Sequence, residues 1–141
     1  MVTGGNRGIG KAICKGLLMQ HSGDVHVVLG SRHLDNGRQA AADISLLTDA
    51  PSCITAIQLD VTSDSSVQAA AKLVSSMGCK LYGIVNNAAV SPCTSTSCKD
   101  LIDTNYFGAR RVNKAFGPML IKPGGRIVNV SSVGAPTYLS G

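Results

Sequence analysis

The stretch Thr3-Gly4-Gly5-Asn6-Arg7-Gly8-Ile9-Gly10 stands between a short apolar start, Met1-Val2, and a segment in which Ile9, Ile13 and Leu17 recur at four-residue spacing. That spacing draws one apolar stripe along a helix from Gly8 to Gln20, ended near Ser22-Gly23, with Lys11 and Lys15 off the stripe. Gly4, Gly8 and Gly10 give the pattern G-x-x-x-G-x-G. In such a loop the first glycine permits a tight turn, the second lets backbone approach a pyrophosphate, and the third allows close helix–sheet packing. The helix N-terminus adds N–H donors and the positive end of a dipole. A glycine cluster alone often marks only a turn. Placed after a strand stub and before an amphipathic helix, it reads as a dinucleotide cradle, with Gly4, Asn6, Arg7, Gly8, Ile9 and Gly10 as candidate contacts.

Outward from the loop, short β-branched runs alternate with longer helix-period stretches, the pattern of βαβ units on a parallel sheet. Val25–Leu29 reads as a buried strand and Leu34–Leu47 as a helix stopped before Pro51. Ile54–Leu59 is the next strand; Val67, Ala71, Val74 and Met77 mark a third amphipathic helix with a stop at Gly78. Leu81–Val85 leads as a strand into Asn86-Asn87, a loop runs through Pro92, and a helical region covers about 97–120. Pro123-Gly124-Gly125 then turns the chain into the strand Arg126–Val130.

The second strand decides between dinucleotides. A carboxylate at its end would bind the ribose 2′-hydroxyl, yet the chain there reads Leu29-Gly30-Ser31-Arg32-His33. Arg32 at the strand end and Arg7 in the glycine loop would flank a 2′-phosphate instead, through charge-assisted and often bidentate hydrogen bonds. NADP(H) is therefore expected over NAD(H). Arg38 and His33 read as surface groups, and Asp24 and Asp43 as solvated charges.

Composition excludes several classes. The chain has 141 residues, a length for one domain able to bury its own core. Its 44% apolar and 15% charged residues argue against disorder and coiled coil. The densest apolar run, Val25–Leu29, holds His26 and is far too short for a membrane span. No basic start is followed by an apolar stretch, so no secretory signal is read. Cys14, Cys53, Cys79, Cys93 and Cys98 form an odd, scattered set, which points to a reducing, cytoplasmic setting with neither a disulfide framework nor a metal site. The net charge of +5 raises nucleic-acid binding as an option, but only Arg110-Arg111 are adjacent and the aromatics are not interleaved with basic residues. Nucleic acid and membrane are thus not expected partners.

With these residues in view the chain resembles the short-chain dehydrogenase/reductase family over nearly its whole length. The family's Thr-Gly-x-x-x-Gly-Ile-Gly loop matches Thr3–Gly10, and its adenine-contacting Asp-Val matches Asp60-Val61. Its Asn-Asn-Ala-Gly matches Asn86-Asn87-Ala88-Ala89, with Ala89 in place of the glycine. The helix asparagine of its catalytic tetrad matches Asn105, and its active-site serine matches Ser132 in Val128-Asn129-Val130-Ser131-Ser132. Thr104-Asn105-Tyr106-Phe107-Gly108 and the run from Leu120 to Ser132 are similar to the monomeric carbonyl reductase branch, which reduces ketones, aldehydes and quinones with NADPH.

The resemblance implies a Rossmann-type doubly wound parallel sheet, α/β with helices on both faces, with about five strands in the order 3-2-1-4-5. It also implies that the sixth and seventh strands are missing and that the fifth is an exposed edge. Residues 1–141 then form an NADP(H)-binding domain incomplete at both ends, with Met1-Val2 a stub of a longer strand. The implied activity is NADPH-dependent reduction of a small carbonyl compound by a monomer. Asn86 and Asn87 would join Asp60, Val61 and Arg32 at the cofactor, and Ser132 and Asn105 would be catalytic.

In the family a tyrosine donates the proton and a lysine four residues later supports it. Tyr138 follows Ser132 by six residues, well short of the family's separation, and reads as a loop residue beside Pro136 and Gly141. Its lysine partner would stand at 142, past the last residue. The chain alone is therefore expected to be inactive. A noncatalytic NADP(H)-binding sensor or scaffold is the alternative, distinguished by whether Tyr-x-x-x-Lys follows Gly141. Cys93 and Cys98 read as unreactive small residues, since no neighbouring base is evident.

Overall fold

The computed structural model describes residues 1–21, 24–48, 53–78, 80–91 and 97–132. Five strands are β1 (Val2–Thr3), β2 (Val27–Ser31), β3 (Ile54–Gln58), β4 (Gly83–Asn86) and β5 (Arg126–Asn129). They form one wholly parallel sheet in the order β3-β2-β1-β4-β5. Between them run α1 (Gly8–Gln20), α2 (Leu34–Thr48) and α3 (Asp64–Ser76). The last connection is broken into α4 (Cys98–Ile102), a π-turn (Asp103–Gly108), α5 (Ala109–Phe116) and a 3₁₀ turn (Gly117–Met119).

The strand alternation splits the apolar residues between two layers. Val27 and Leu29 of β2 pack with Cys14 and Leu18 of α1 and with Ala40, Ala41 and Ile44 of α2. Val28 points the other way, into a cluster with Val67, Ala70, Ala71 and Val74 of α3 and Val112 and Phe116 of α5. Helices thus cover both faces, as the period-2 strands and period-3.6 helices require. Burial pushes the Cys14 thiol up to about 12, so it packs as a small apolar group. Among the described residues no helix is long and apolar enough to cross a membrane.

β1 has only two residues, both buried, yet it centres the sheet: Val2 pairs with Leu29 on one side and Val85 on the other. β2 starts and ends two residues later than the apolar run suggested. Gly30 and Ser31 continue the strand because their smallness is used inside the sheet; a Cβ on Gly30 would meet Leu59 at 2.8 Å. Leu81 likewise lies before β4, in an isolated bridge to Leu120. The single helical region expected over 97–120 is interrupted by the π-turn, which apolar periodicity does not reveal. The expected stops at Ser22-Gly23 and Pro51 and the loop at Pro92 fall outside the described residues.

Candidate cofactor and active site

The segments leaving the C-terminal ends of β1 to β4 enclose an open cavity of about 400 Å³. The glycine loop forms its floor through Gly4, Asn6, Arg7, Gly8, Ile9 and Gly10. One wall carries Ser31, Arg32, His33 and Asn36 after β2, another Leu59 to Thr62 after β3, and the third Asn87 to Val90 after β4, with Thr104 at its edge. Ten sequence-chosen residues therefore meet here: the six of the loop with Arg32, Asp60, Val61 and Asn87. Ser31, His33, Asn36, Leu59, Thr62, Ala88–Val90 and Thr104 were not singled out as contacts. His33 is exposed as expected, but on the cavity wall.

The glycines take distinct tasks. Gly4 and Gly8 have φ of 63° and 53°, left-handed conformations that cost any residue with a Cβ. Gly8 has open space where a Cβ would stand. Gly10 is held by contact rather than by φ: an added Cβ would lie 2.3 Å from the Gly4 carbonyl oxygen and 2.5 Å from Asn87 Nδ2. Its close packing is thus against the loop and the β4 end, more than against the sheet. Arg7 precedes α1 in extended conformation with no side-chain cap on the first turn and no acidic residue in it. The residues of that turn, Gly8, Ile9 and Gly10, line the cavity, and the first N–H groups of a helix have no partner within the helix itself.

Thr3 joins β1 to β4. Its hydroxyl accepts from the N–H groups of Asn87 and Ala88, both at 3.0 Å, and donates to the Val85 carbonyl at 3.4 Å. Asn87 Nδ2 donates back to the Thr3 carbonyl at 2.9 Å and the Gly4 carbonyl at 3.2 Å. Asn86 departs from its expected place at the cofactor. It is 7% exposed and points into the sheet, where Nδ2 donates to Asn113 Oδ1 at 2.9 Å and Asn129 Oδ1 at 2.8 Å. Asn86 Oδ1 has no partner among the described residues. Alternation explains the split: two consecutive residues leaving a strand face opposite ways.

At the wall after β3, Asp60 Oδ1 accepts from the Thr62 backbone and hydroxyl at 3.0 and 2.7 Å, which holds that turn. Asn105 sits in the π-turn and turns its amide to the β4 loop. Its Oδ1 accepts from Val90 N–H and its Nδ2 donates to the Val90 carbonyl, each at 2.9 Å. Ser132 is exposed beyond β5 and is not part of the cavity wall. Ala89, where the family has glycine, is exposed on the wall. Tyr138 and Cys93 lie outside the described residues.

The charges separate into paired and unpaired sets. Arg38 is exposed and lies 3.4 Å from Asp35, as a solvated helix face would have it. Asp43 is more than a solvated charge: Lys11 Nζ donates to Oδ2 at 2.6 Å and Gln39 to Oδ1 at 2.9 Å, and these bonds hold its carboxyl below the usual carboxylate range. Arg7 and Arg32, both on the cavity, have no ion-pair partner among the described residues.

The family model described as short chain dehydrogenase matches residues 1–140. Carbonyl reductase [NADPH] 1 of Mus musculus is 36% identical over 143 residues, covering 94% of this chain and 48% of that protein. Menthone neomenthol reductase from Mentha piperita superposes with a TM-score of 0.81 at 27% identity, over 94% of this chain and 60% of that one. An alcohol dehydrogenase from the archaeon Thermococcus sibiricus, complexed with 5-hydroxy-NADP, gives a TM-score of 0.77 at 27% identity, over 93% and 57%. The chain spans about half the length of the curated relatives it matches. By matched span and by the order of its motifs, the chain belongs to the short-chain dehydrogenase family of oxidoreductases.

Proposed function

We propose that this chain is the NADP(H)-binding part of a carbonyl reductase, a cytoplasmic monomer acting on a small ketone, aldehyde or quinone and on neither nucleic acid nor membrane. The observation that carries the cofactor reading is the uncapped first turn of α1 on the same cavity as two guanidinium groups with no ion-pair partner among the described residues, with no carboxylate at the end of β2. The loop N–H groups suit a pyrophosphate, and Arg7 and Arg32 suit a 2′-phosphate. The name of the mouse relative and the ligand of the archaeal one point the same way.

NADPH, when bound, supplies a hydride to the carbonyl carbon of the substrate. The work of this chain is to hold and orient. The glycine loop and Asp60-Val61 fix the dinucleotide at one end, and Asn87, welded to Thr3 and Gly4, sets the wall at the other. In this reading the Ser132 hydroxyl donates to the substrate oxygen as negative charge develops there, and Asn105 keeps the β4 loop in place. The described site residues include no proton donor of the Tyr-x-x-x-Lys type, and the full sequence of 141 residues contains none. The chain by itself is therefore expected to bind cofactor without appreciable reductase activity, since a positioned acid is worth roughly 10²- to 10⁴-fold.

Calorimetric titration of the chain with NADPH and NADH, repeated on Arg7→Ala and Arg32→Ala, tests the cofactor reading. Each change should weaken NADPH by about 10- to 100-fold, the usual worth of a charged hydrogen bond, and leave NADH almost unaffected. A preference for NADH that survives both changes would sink it. Activity is to be measured on the protein that carries this chain; robust ketone reduction by residues 1–141 alone would overturn the division of labour.

A further inference from the structure

Arg111 lies on α5, away from the cavity wall, yet its guanidinium reaches three other segments. Nη2 donates to Asp103 Oδ1 at 2.7 Å, and Nη1 lies 3.3 Å from the Asp103 carbonyl and 3.4 Å from the Val61 carbonyl. Nε stands 3.1 Å from Asp64 Oδ1 at the start of α3. The group is 24% exposed, and the hydrogen bond to Asp103 first, then the charges of Asp103 and Asp64, hold its pKa above the ordinary arginine value. No other cation among the described residues is shared so widely.

The places it ties together matter more than their number. Asp103 opens the π-turn, Thr104 lines the cavity, and Asn105 clamps the backbone of Val90, which also lines it. Val61 belongs to the wall after β3. The far end of the π-turn meets that wall too: Gly108 is buried, and a Cβ on it would stand 2.8 Å from Val61 Cγ2. A π-turn is rare because its bonding is less favourable than that of an α-helix, so it persists where outside partners support it. Here a cation provides one donor for the Asp103 carbonyl and another for its carboxylate.

We infer that Arg111 is a positioning residue: it fastens the π-turn to the turn after β3, so that Asn105 is held against Val90 and the two walls of the cavity keep a fixed separation. The structural link stands on the contacts alone; its consequence for cofactor and catalysis rests on the function proposed above.

The test reads the link directly. Amide hydrogen exchange is followed by NMR on the full chain and on Arg111→Met, Arg111→Lys and Asp103→Asn. In Arg111→Met the Val90 amide, the donor to Asn105, should exchange at least tenfold faster, while Leu29 and Ile84 in the core strands keep their rates. Arg111→Lys should fall between wild type and Arg111→Met, because an ammonium cannot span all four acceptors. Asp103→Asn, which keeps the shape and removes one charge, should move Val90 in the same direction by a smaller factor and serves if Arg111→Met does not fold. An unchanged Val90 rate, or one that rises only in step with Leu29, would overturn the inference. NADPH and NADH titrations separate the two readings: Arg111→Met should weaken both cofactors by the same factor, whereas a loss confined to NADPH would make Arg111 a phosphate contact and overturn its role as a wall tie.

Discussion

Strand β2 buries all five of its residues, whereas β5 exposes all four. The first lies among α1, α2 and two neighbouring strands; the second has β4 on one side and no strand beyond it among the described residues. The helices do not repeat this contrast: α1 and α2 bury Cys14, Leu18, Ala40, Ala41 and Ile44 but leave Ile9, Met19, Leu46 and Leu47 exposed, and the last connection buries Val112 and Phe116 but leaves Ile102, Tyr106 and Phe107 exposed. The β2 half of this sheet is thus closed among the described residues, and the β5 half, with the π-turn and Ser132 beside it, is open at its strand edge. The cavity at the strand ends is built by local βα turns, whereas β5 is an edge strand among the described residues, with one row of backbone groups not paired to a second strand.

The largest effect is expected where the two halves touch. Gly10→Ala would drive a methyl into the Gly4 carbonyl and the Asn87 amide, neither of which can yield without moving β1 against β4. A loss of about 3 kcal/mol is expected from overpacking of this kind. In thermal melts it should appear as a fall of roughly 10 °C, with cofactor binding lost alongside. Gly8→Ala sharpens the point, since its Cβ would meet nothing and only its φ of 53° resists the change. A Gly8→Ala loss as large as that of Gly10→Ala would show that backbone strain, not contact, welds the halves.

The contrast in burial can be measured by truncating one apolar side chain in each half. Leu29 is 0% exposed, and Leu29→Ala should cost about 3 kcal/mol in urea titrations. Val128 is 51% exposed, and Val128→Ala should cost under about 0.5 kcal/mol. Equal losses would mean that β5 is covered in solution and would erase the comparison.

The closed half was also the more legible half. The spacing of Gly4, Gly8 and Gly10 announces a tight turn and a close contact, which Gly4 and Gly10 show, and α1 runs over the span its apolar stripe marked. The order of the sheet followed from the resemblance. The open half hid its decisive features because they depend on partners distant in sequence. Asn86 and Asn87 are adjacent and identical, yet one enters an asparagine cluster with Asn113 and Asn129 while the other meets Thr3 and Gly4. Nothing in their spacing assigns the two faces without the register of β4. The π-turn at Asn105 leaves no periodic trace, since one added residue in a helical run shifts the stripe without ending it. Asp43 read as solvated because its partner Lys11 is 32 residues away on another helix.

A smaller effect is expected at the cap of α3, the helix that bridges the halves by packing on α5. Ser63 Oγ accepts from the Ser66 N–H at 3.3 Å, in contrast with the uncapped α1. Ser63→Ala should lower stability by about 1 kcal/mol. A ligand-free Arg7→Ser, which offers α1 a cap, should by the same logic stabilise the chain while weakening cofactor binding. If instead Arg7→Ser improved binding, the first turn of α1 would not be the anion site.

The smallest effect belongs to the Lys11–Asp43 pair, which joins α1 to α2 on the surface of the closed half. Its bonds to Lys11, and then to Gln39, hold the Asp43 carboxyl below its ordinary value. A carboxylate whose folded pKa is depressed contributes its stability fully above the unfolded value, about 4, and loses it as pH falls through the lower folded value. Asp43→Asn keeps an oxygen for Gln39 and removes the charge opposite Lys11. Wild type should therefore melt slightly above Asp43→Asn near neutral pH, with the gap closing below about pH 4. Salt should narrow the neutral-pH gap as well, because the pair is exposed to solvent and screened. A gap of the same size at pH 3 and pH 7 would mean that packing, not charge, is what Asp43 gives the α1–α2 contact.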